Sequence, residues 1–318
     1  MVMAERVDEV LRTGRAPGFH GLVVLKGGDV VLERYGAGPD DRLGRPLGHV
    51  EFDRDTLHDL RSVTKSVVGL LYGIALKDGL VPEPGERLVR QFPEYEDLVG
   101  DPARAHLTIE HALTMTLGLD WNEDLPYTDP ANGEIAMELA PDRYRYVLAR
   151  PLAEEAGTRW RYCGGATALL GGIIARGAGK PLEEYAAGAL FEPLGIGAFE
   201  WVKGDDGVVA AASGLRLRPI DLAAIGRLVL DGGRDVVPGE WLGEMLRPRV
   251  VIDGQFQYGY QWYATTGDRP WVEGIGNGGQ RLLVVPGEDL VVAVTAGEYD
   301  AEQASASAIL DAVLGRGA

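Results

Sequence analysis

The sequence predicts an α/β protein in which one helix-layered sheet draws strands from both ends of the chain and carries a helical insertion. Three observations support this. β-Branched runs flank a glycine turn within residues 21–35, similar runs lie near residues 280–297, and helical signals dominate from about residue 62 to 250. Strands at both ends around a helical middle place a cleft between two lobes, where a small-molecule site is expected.

Taken in order, GLVVLKGGDVVLERYG reads as a hairpin turning at Lys26-Gly27-Gly28-Asp29, where glycine allows the positive φ of a tight turn. Helices follow in SVTKSVVGLLYGIALKDG, TIEHALTM, GGATALLGGIIARGAG, PLEEYAAGAL and PIDLAAIGRLVLDGG. Thr108 suits an N-cap, Pro181 and Pro219 a first helical position, and Gly79, Gly179 and Gly232 a left-handed stop. QRLLVVP and LVVAVTAG flank the turn Pro286-Gly287-Glu288-Asp289, and AEQASASAILDAVL reads as a closing helix.

The 318 residues are 46% apolar and 25% charged, enough for a substantial core. A net charge of −17 repels polyanions, so neither nucleic acid nor an anionic membrane surface is an expected partner. Residues 1–20 lack the apolar run of a signal peptide, no stretch approaches a membrane span, and the single cysteine, Cys163, excludes an intramolecular disulfide. The expected location is cytoplasmic. Oligomeric state is not legible.

Chemistry centres on Ser62-Val63-Thr64-Lys65. With five serines and five lysines, a Ser-x-x-Lys arises by chance in roughly one such chain in ten. Here it opens an apolar helix, which puts Ser62 at the positive end of the dipole and Lys65 one turn later on the same face. A serine hydroxyl becomes a good nucleophile when a neighbour takes its proton, and burial is expected to lower the lysine pKa enough for that role. All five histidines lie within the first 111 residues, so the Ser…Asp…His order of an α/β-hydrolase would have to draw its base from His106 or His111, and no Gly-x-Ser-x-Gly is present. His106 and His111 lack zinc-protease spacing; neither a metal nor a cofactor is expected.

Tyr162, in Arg161-Tyr162-Cys163-Gly164-Gly165, precedes a helix about 100 residues later and could relay a proton. Cys163 beside it has no partner histidine nearby in sequence. Gly276-Asn277-Gly278-Gly279-Gln280 opens a strand, where glycines leave room for substrate and a free N–H for a developing oxyanion.

These three motifs, in this order and spacing, resemble the serine β-lactamase and penicillin-binding-protein superfamily. SVTKSVVGLLYGIALKDG, HALTMTLGLDWNED, WRYCGGATALLGGIIARGAGKPLEEYA, LFEPLGI and NGGQRLLVVPGEDLVVAVTAG look like its class C-like branch of esterases and 6-aminohexanoate-dimer hydrolases, over residues 20–314. The resemblance implies an antiparallel sheet flanked by helices, formed by residues 1–73 and 208–318, with an all-helical lobe at 74–207. It implies Ser62 as the acylated nucleophile, Lys65 and Tyr162 as the proton-transfer pair, and an oxyanion hole from the N–H groups of Ser62 and Gln280.

Two departures bear on substrate. Tyr162-Cys163-Gly164 replaces the Tyr-x-Asn of class C β-lactamases, and Asn277-Gly278-Gly279 replaces their Lys-Thr-Gly, so a carboxamide and a cation for β-lactam recognition are both missing. The expectation is a hydrolase of small carboxylic esters or linear amides, with an acyl pocket lined by Trp121, Tyr127, Trp160, Tyr260 and Trp262. A β-lactamase or DD-peptidase is the alternative within the superfamily, and a non-catalytic binding protein the alternative of another class.

Overall fold

The computed structural model describes residues 2–316. Strands β1 (Phe19–Lys26) and β2 (Asp29–Tyr35) form the first hairpin. β3 (Ala37–Arg42) and β4 (Arg45–Glu51) form a two-stranded sheet of their own. β5 (His58–Asp59), β6 (Glu200–Trp201) and β7 (Leu215–Leu217) make a third small sheet, ordered β5-β7-β6. The remaining strands are β8 (Val250–Asp253), β9 (Phe256–Tyr258), β10 (Tyr263–Thr265), β11 (Val272–Gly276), β12 (Gln280–Val285) and β13 (Leu290–Ala296). They join the first hairpin in an antiparallel eight-stranded sheet of order β2-β1-β13-β12-β11-β10-β9-β8, the expected class of fold. The first and last parts of the chain meet where β1 pairs with β13.

The centre of this sheet is covered on both faces, which is why β1, β12 and β13 read as near-continuous apolar runs. Leu22, Val24, Val292 and Val294 pack under the terminal helices Met3–Arg12 and Ala304–Leu314, with Val7, Val10, Ile309 and Val313. The alternate residues Val23, Leu25, Val291 and Ala293 face the opposite core, beside Val63, Leu222 and Ile225.

The Val63–Lys77 helix is apolar all round rather than amphipathic, and residues 63–75 are all buried. It packs against the similarly apolar Gly164–Ala178 helix and against β11. Thr108 caps the Ile109–Leu113 helix by accepting from His111 N–H, Pro219 begins the Pro219–Leu230 helix, and Gly179 ends its helix at φ +64°. Pro181 is itself the cap of the next helix rather than its first residue. Among the described residues, no helix is long and apolar enough to cross a membrane.

Candidate active site

Ser62 stands immediately before the Val63–Lys77 helix, after Arg61, whose φ of +48° is left-handed. That backbone costs energy for a residue with a Cβ, and it is held by ion pairs from Arg61 to Asp41 and Asp59 and by stacking of the guanidinium 4.3 Å over the Tyr299 ring. Gly276 on β11 completes the floor: a Cβ there would lie 2.4 Å from Leu60 O, so only glycine lets this strand approach the nucleophile turn so closely.

Lys65, 2% exposed, donates from Nζ to Ser62 Oγ at 2.9 Å, to Ala212 O at 2.9 Å and to Glu134 Oε2 at 3.3 Å. The Tyr162 ring lies 4.8 Å from the same nitrogen. The structure therefore brings the three residues Ser62, Lys65 and Tyr162 together. It differs on the charge of Lys65. Burial opposes the ammonium, but Glu134, with smaller contributions from Tyr162 and Glu123, outweighs it and holds the pKa above the ordinary lysine range. Burial raises the Tyr162 phenol, and the Lys65 charge pulls the other way. Cys163 is buried and its thiol pushed well up by desolvation, which makes it a poor nucleophile.

Two carboxylates had no sequence signal. Glu134 is set at the start of the Gly133–Glu138 helix, where Asn132 Oδ1 accepts from the Glu134 and Ile135 N–H groups. Glu123 accepts from Trp121 Nε1 at 2.6 Å, from Tyr127 OH at 3.1 Å and from Gly164 N–H. These acids account for the glycine in Tyr162-Cys163-Gly164: a Cβ at Gly164 would lie 2.3 Å from Glu134 Oε2 and 2.9 Å from Glu123 Oε1. Gly164→Ala should displace the carboxylate that faces Lys65 and lower kcat/KM about 10- to 100-fold, read on an ester substrate with circular dichroism as the folding control.

Burial, joined by the charge of Glu134, pushes the Glu123 carboxyl up to about 7, against Lys65 and its N–H donors. A raised carboxyl pKa means that the fold prefers the protonated form. The resulting stability is complete below the unfolded value near 4.5 and is lost as pH rises to about 7. In Glu123→Gln, Oε1 can keep the Trp121 and Gly164 donors. The variant should therefore match the wild type at pH 4.5 and exceed it by about 2–3 kcal/mol at pH 8, measured by urea unfolding at both pH values.

The cavity beside Ser62 has a volume of about 260 Å³. Leu43, Ile135, Leu139 and Val202 line its apolar side; Arg45, Glu138, Lys203 and Asp205 add charged groups. Of the five aromatics expected to line it, only Tyr127 does. Trp121 and Trp160 border a neighbouring hollow of about 620 Å³ that also touches Tyr162. Tyr260 is buried, donating to Glu110 at 2.6 Å beneath Arg249, and Trp262 is 0% exposed, donating to Ser66 O at 3.2 Å. Both are core behind the site, where a large side chain fills space instead of meeting a ligand.

The third motif forms the turn between β11 and β12, with Gly278 and Gly279 at φ +94° and +96°. Asn277 borders the cavity; its side chain donates to Asp300 Oδ1 at 2.8 Å and accepts from Asp300 N at 2.9 Å, closing the rim. Gln280 is 0% exposed, does not border the cavity, and uses its side chain to pin the turn to Ala296 and Asn277 O. Among the described residues, the main-chain N–H groups of Ser62 and Asn277 donate no intramolecular hydrogen bond.

A seryl hydroxyl at the head of a buried helix, coupled to a lysine one turn on and set under a cleft, defines a serine hydrolase. Residues 3–314 match the Beta-lactamase family model, and the chain belongs to that family. It is 29% identical to the 6-aminohexanoate-dimer hydrolase of Paenarthrobacter ureafaciens, over 85% of this chain and 70% of that protein. Esterase EstB of Burkholderia gladioli is 27% identical over 59% of this chain, which spans about half of that esterase (48%). Among solved structures, the fold matches EstCE1, a hydrolase with promiscuous acyltransferase activity, at a TM-score of 0.79 and 18% identity, covering 98% of each chain. A β-lactamase/D-alanine carboxypeptidase from Pseudomonas syringae matches at 0.74 and 15%, covering 99% of each.

Proposed function

We propose that this protein hydrolyses small carboxylic esters or linear amides through a covalent Ser62 acyl-enzyme. The observation that carries the reading is the Lys65 Nζ to Ser62 Oγ hydrogen bond of 2.9 Å at the edge of a cavity of about 260 Å³. Tyr162 acts as its phenolate, the form the adjacent Lys65 ammonium favours: as Ser62 Oγ attacks the acyl carbon, its proton passes to that oxygen and leaves neutral Tyr162 beside the ammonium; the two titrate as a coupled pair. The tetrahedral oxyanion is bound by two main-chain N–H groups, those of Ser62 and Asn277. Asn277 takes the place expected of Gln280 because its N–H has no intramolecular partner and it borders the cavity, while Gln280 does not. Tyr162 then returns the proton to the leaving oxygen or nitrogen, and water attacks the acyl carbon by the reverse transfers.

The apolar side of the cavity fits a short acyl chain, and its charged groups fit a polar remainder of the substrate. Relatives named for an aminohexanoate dimer and for ester hydrolysis agree with that range. A β-lactam is disfavoured: Asn277, where a lysine would bind the ring carboxylate, is neutral and already engaged with Asp300.

The test is a chain-length series of p-nitrophenyl esters beside linear amides, with fluorophosphonate labelling mapped by mass spectrometry. Saturable turnover and an adduct on Ser62 are expected. An adduct elsewhere, or turnover of a β-lactam chromophore exceeding that of every ester and amide, would overturn the reading.

A further inference from the structure

Beneath the nucleophile turn, His20 on β1, Asp40 on β3 and His58 on β5 meet in the interior, where they are 1%, 4% and 1% exposed. His58 Nδ1 lies 2.9 Å from Asp59 O, which can only accept, so Nδ1 carries the proton and Nε2 presents a lone pair. His20 Nδ1 is 2.8 Å from that lone pair, and Asp40 Oδ1 is 3.8 Å from it. All three donor atoms lie within 4.8 Å of one another.

The cluster is incomplete as a hydrogen-bond network. Asp40 Oδ2 accepts from Arg216 at 3.2 Å, but Asp40 Oδ1 is buried without a partner. An unsatisfied buried carboxylate oxygen facing two imidazole nitrogens is a costly arrangement unless something is bound between them. The His20 ring is also tightly seated: it stacks on Phe52 at 4.1 Å, and a Cβ on Gly38 would come within 2.7 Å of its Nε2.

We propose that His20 Nδ1, His58 Nε2 and Asp40 Oδ1 bind one divalent transition-metal ion, with zinc the best match to this ligand set. Two imidazoles and one carboxylate suit zinc, with water as a fourth ligand. At metal–ligand distances of about 2.1 Å in a tetrahedron the donor atoms stand about 3.4 Å apart, so the two ring nitrogens separate by about half an ångström, Asp40 Oδ1 closes on His58 by a similar amount, and its approach to His20 Nδ1 starts from within 4.8 Å. Binding needs no net loss of a proton: neutral His20 shifts its single proton from Nδ1, now hydrogen-bonded to His58, to Nε2 and frees the Nδ1 lone pair. The groups that would orient these ligands are already in place: Asp59 O accepts from His58 Nδ1, and Arg216 donates to Asp40 Oδ2. The ion would brace β5, and with it the Asp59–Arg61 pairing that holds the Ser62 turn.

The experiment uses the full chain, without a histidine tag, stripped with a chelator and then titrated with Co²⁺ and with Zn²⁺. One equivalent of Co²⁺ should give the visible absorption of a low-coordinate site and be displaced by Zn²⁺, and excess Zn²⁺ should raise Tm by a few degrees. Asp40→Asn, nearly isosteric, should weaken Co²⁺ binding at least 100-fold and abolish the Zn²⁺-dependent rise, with its metal-free circular dichroism unchanged. His58→Gln should do the same; if it does not fold, Asp40→Asn decides. No Co²⁺ absorption and no Tm rise in the wild type would overturn the proposal, as would binding undiminished in Asp40→Asn, which would place the ion elsewhere.

Discussion

Ser62→Ala should lower kcat/KM on its best p-nitrophenyl ester by about 10⁴-fold or more, and should leave the urea midpoint almost unchanged. The first part follows from the chemistry: without Oγ no acyl-enzyme forms, and what remains is the binding and oxyanion contribution common to sites of this kind. The second follows from the packing. Ser62 is outside the apolar core and contributes one acceptor to Lys65, which keeps Ala212 O and Glu134 after the substitution. Loss of one such bond costs about 1 kcal/mol. Steady-state kinetics beside fluorophosphonate labelling check both parts, and a variant that still turns over substrate at a comparable rate would remove Ser62 from the chemistry.

The legibility of this site in the sequence follows from how far its parts are separated along the chain. Ser62 and Lys65 share one helical turn, so their spacing alone implies contact. Tyr162 and the glycine-rich turn could be placed because each opens an element and both occur in family order. Glu123 and Glu134 could not: the chain holds 48 acidic residues, and nothing local marks Glu134 as the one that pairs with Lys65 or Glu123 as the buried acid beside it. Their absence from the reading is also why the lysine was expected to be neutralised by burial, when paired carboxylates keep it charged.

Aromatic residues misled in the opposite direction. Trp262 and Tyr260 lie near motif segments in sequence, but apolar size marks a core position as readily as a ligand contact, and here it marks core. The central strands were legible because both their faces are covered. The β3–β4 hairpin was not, since AGPDDR and RPLGHVE are rich in glycine, proline and charge and much of the hairpin is exposed. Likewise His20, Asp40 and His58 lie on three different strands, and only the fold joins them.

The sharpest test of Lys65 separates its charge from its chemistry. Lys65→Met preserves length and apolar volume but leaves Glu134, whose side chain is 3% exposed, without the ammonium 3.3 Å away. Removing one partner of a buried pair typically costs about 3–5 kcal/mol, because the other charge stays desolvated and uncompensated. The same substitution removes the cation that stabilises charge on Tyr162, so kcat/KM should fall about 10³-fold or more. Adding Glu134→Gln to Lys65→Met makes the pair neutral. The double variant should regain at least half of the lost stability in urea unfolding, while its kcat/KM stays at the level of Lys65→Met. Recovery of both together would mean that Lys65 serves only to neutralise Glu134; recovery of stability alone places the ammonium in the proton-transfer step, where its contact with Ser62 Oγ puts it.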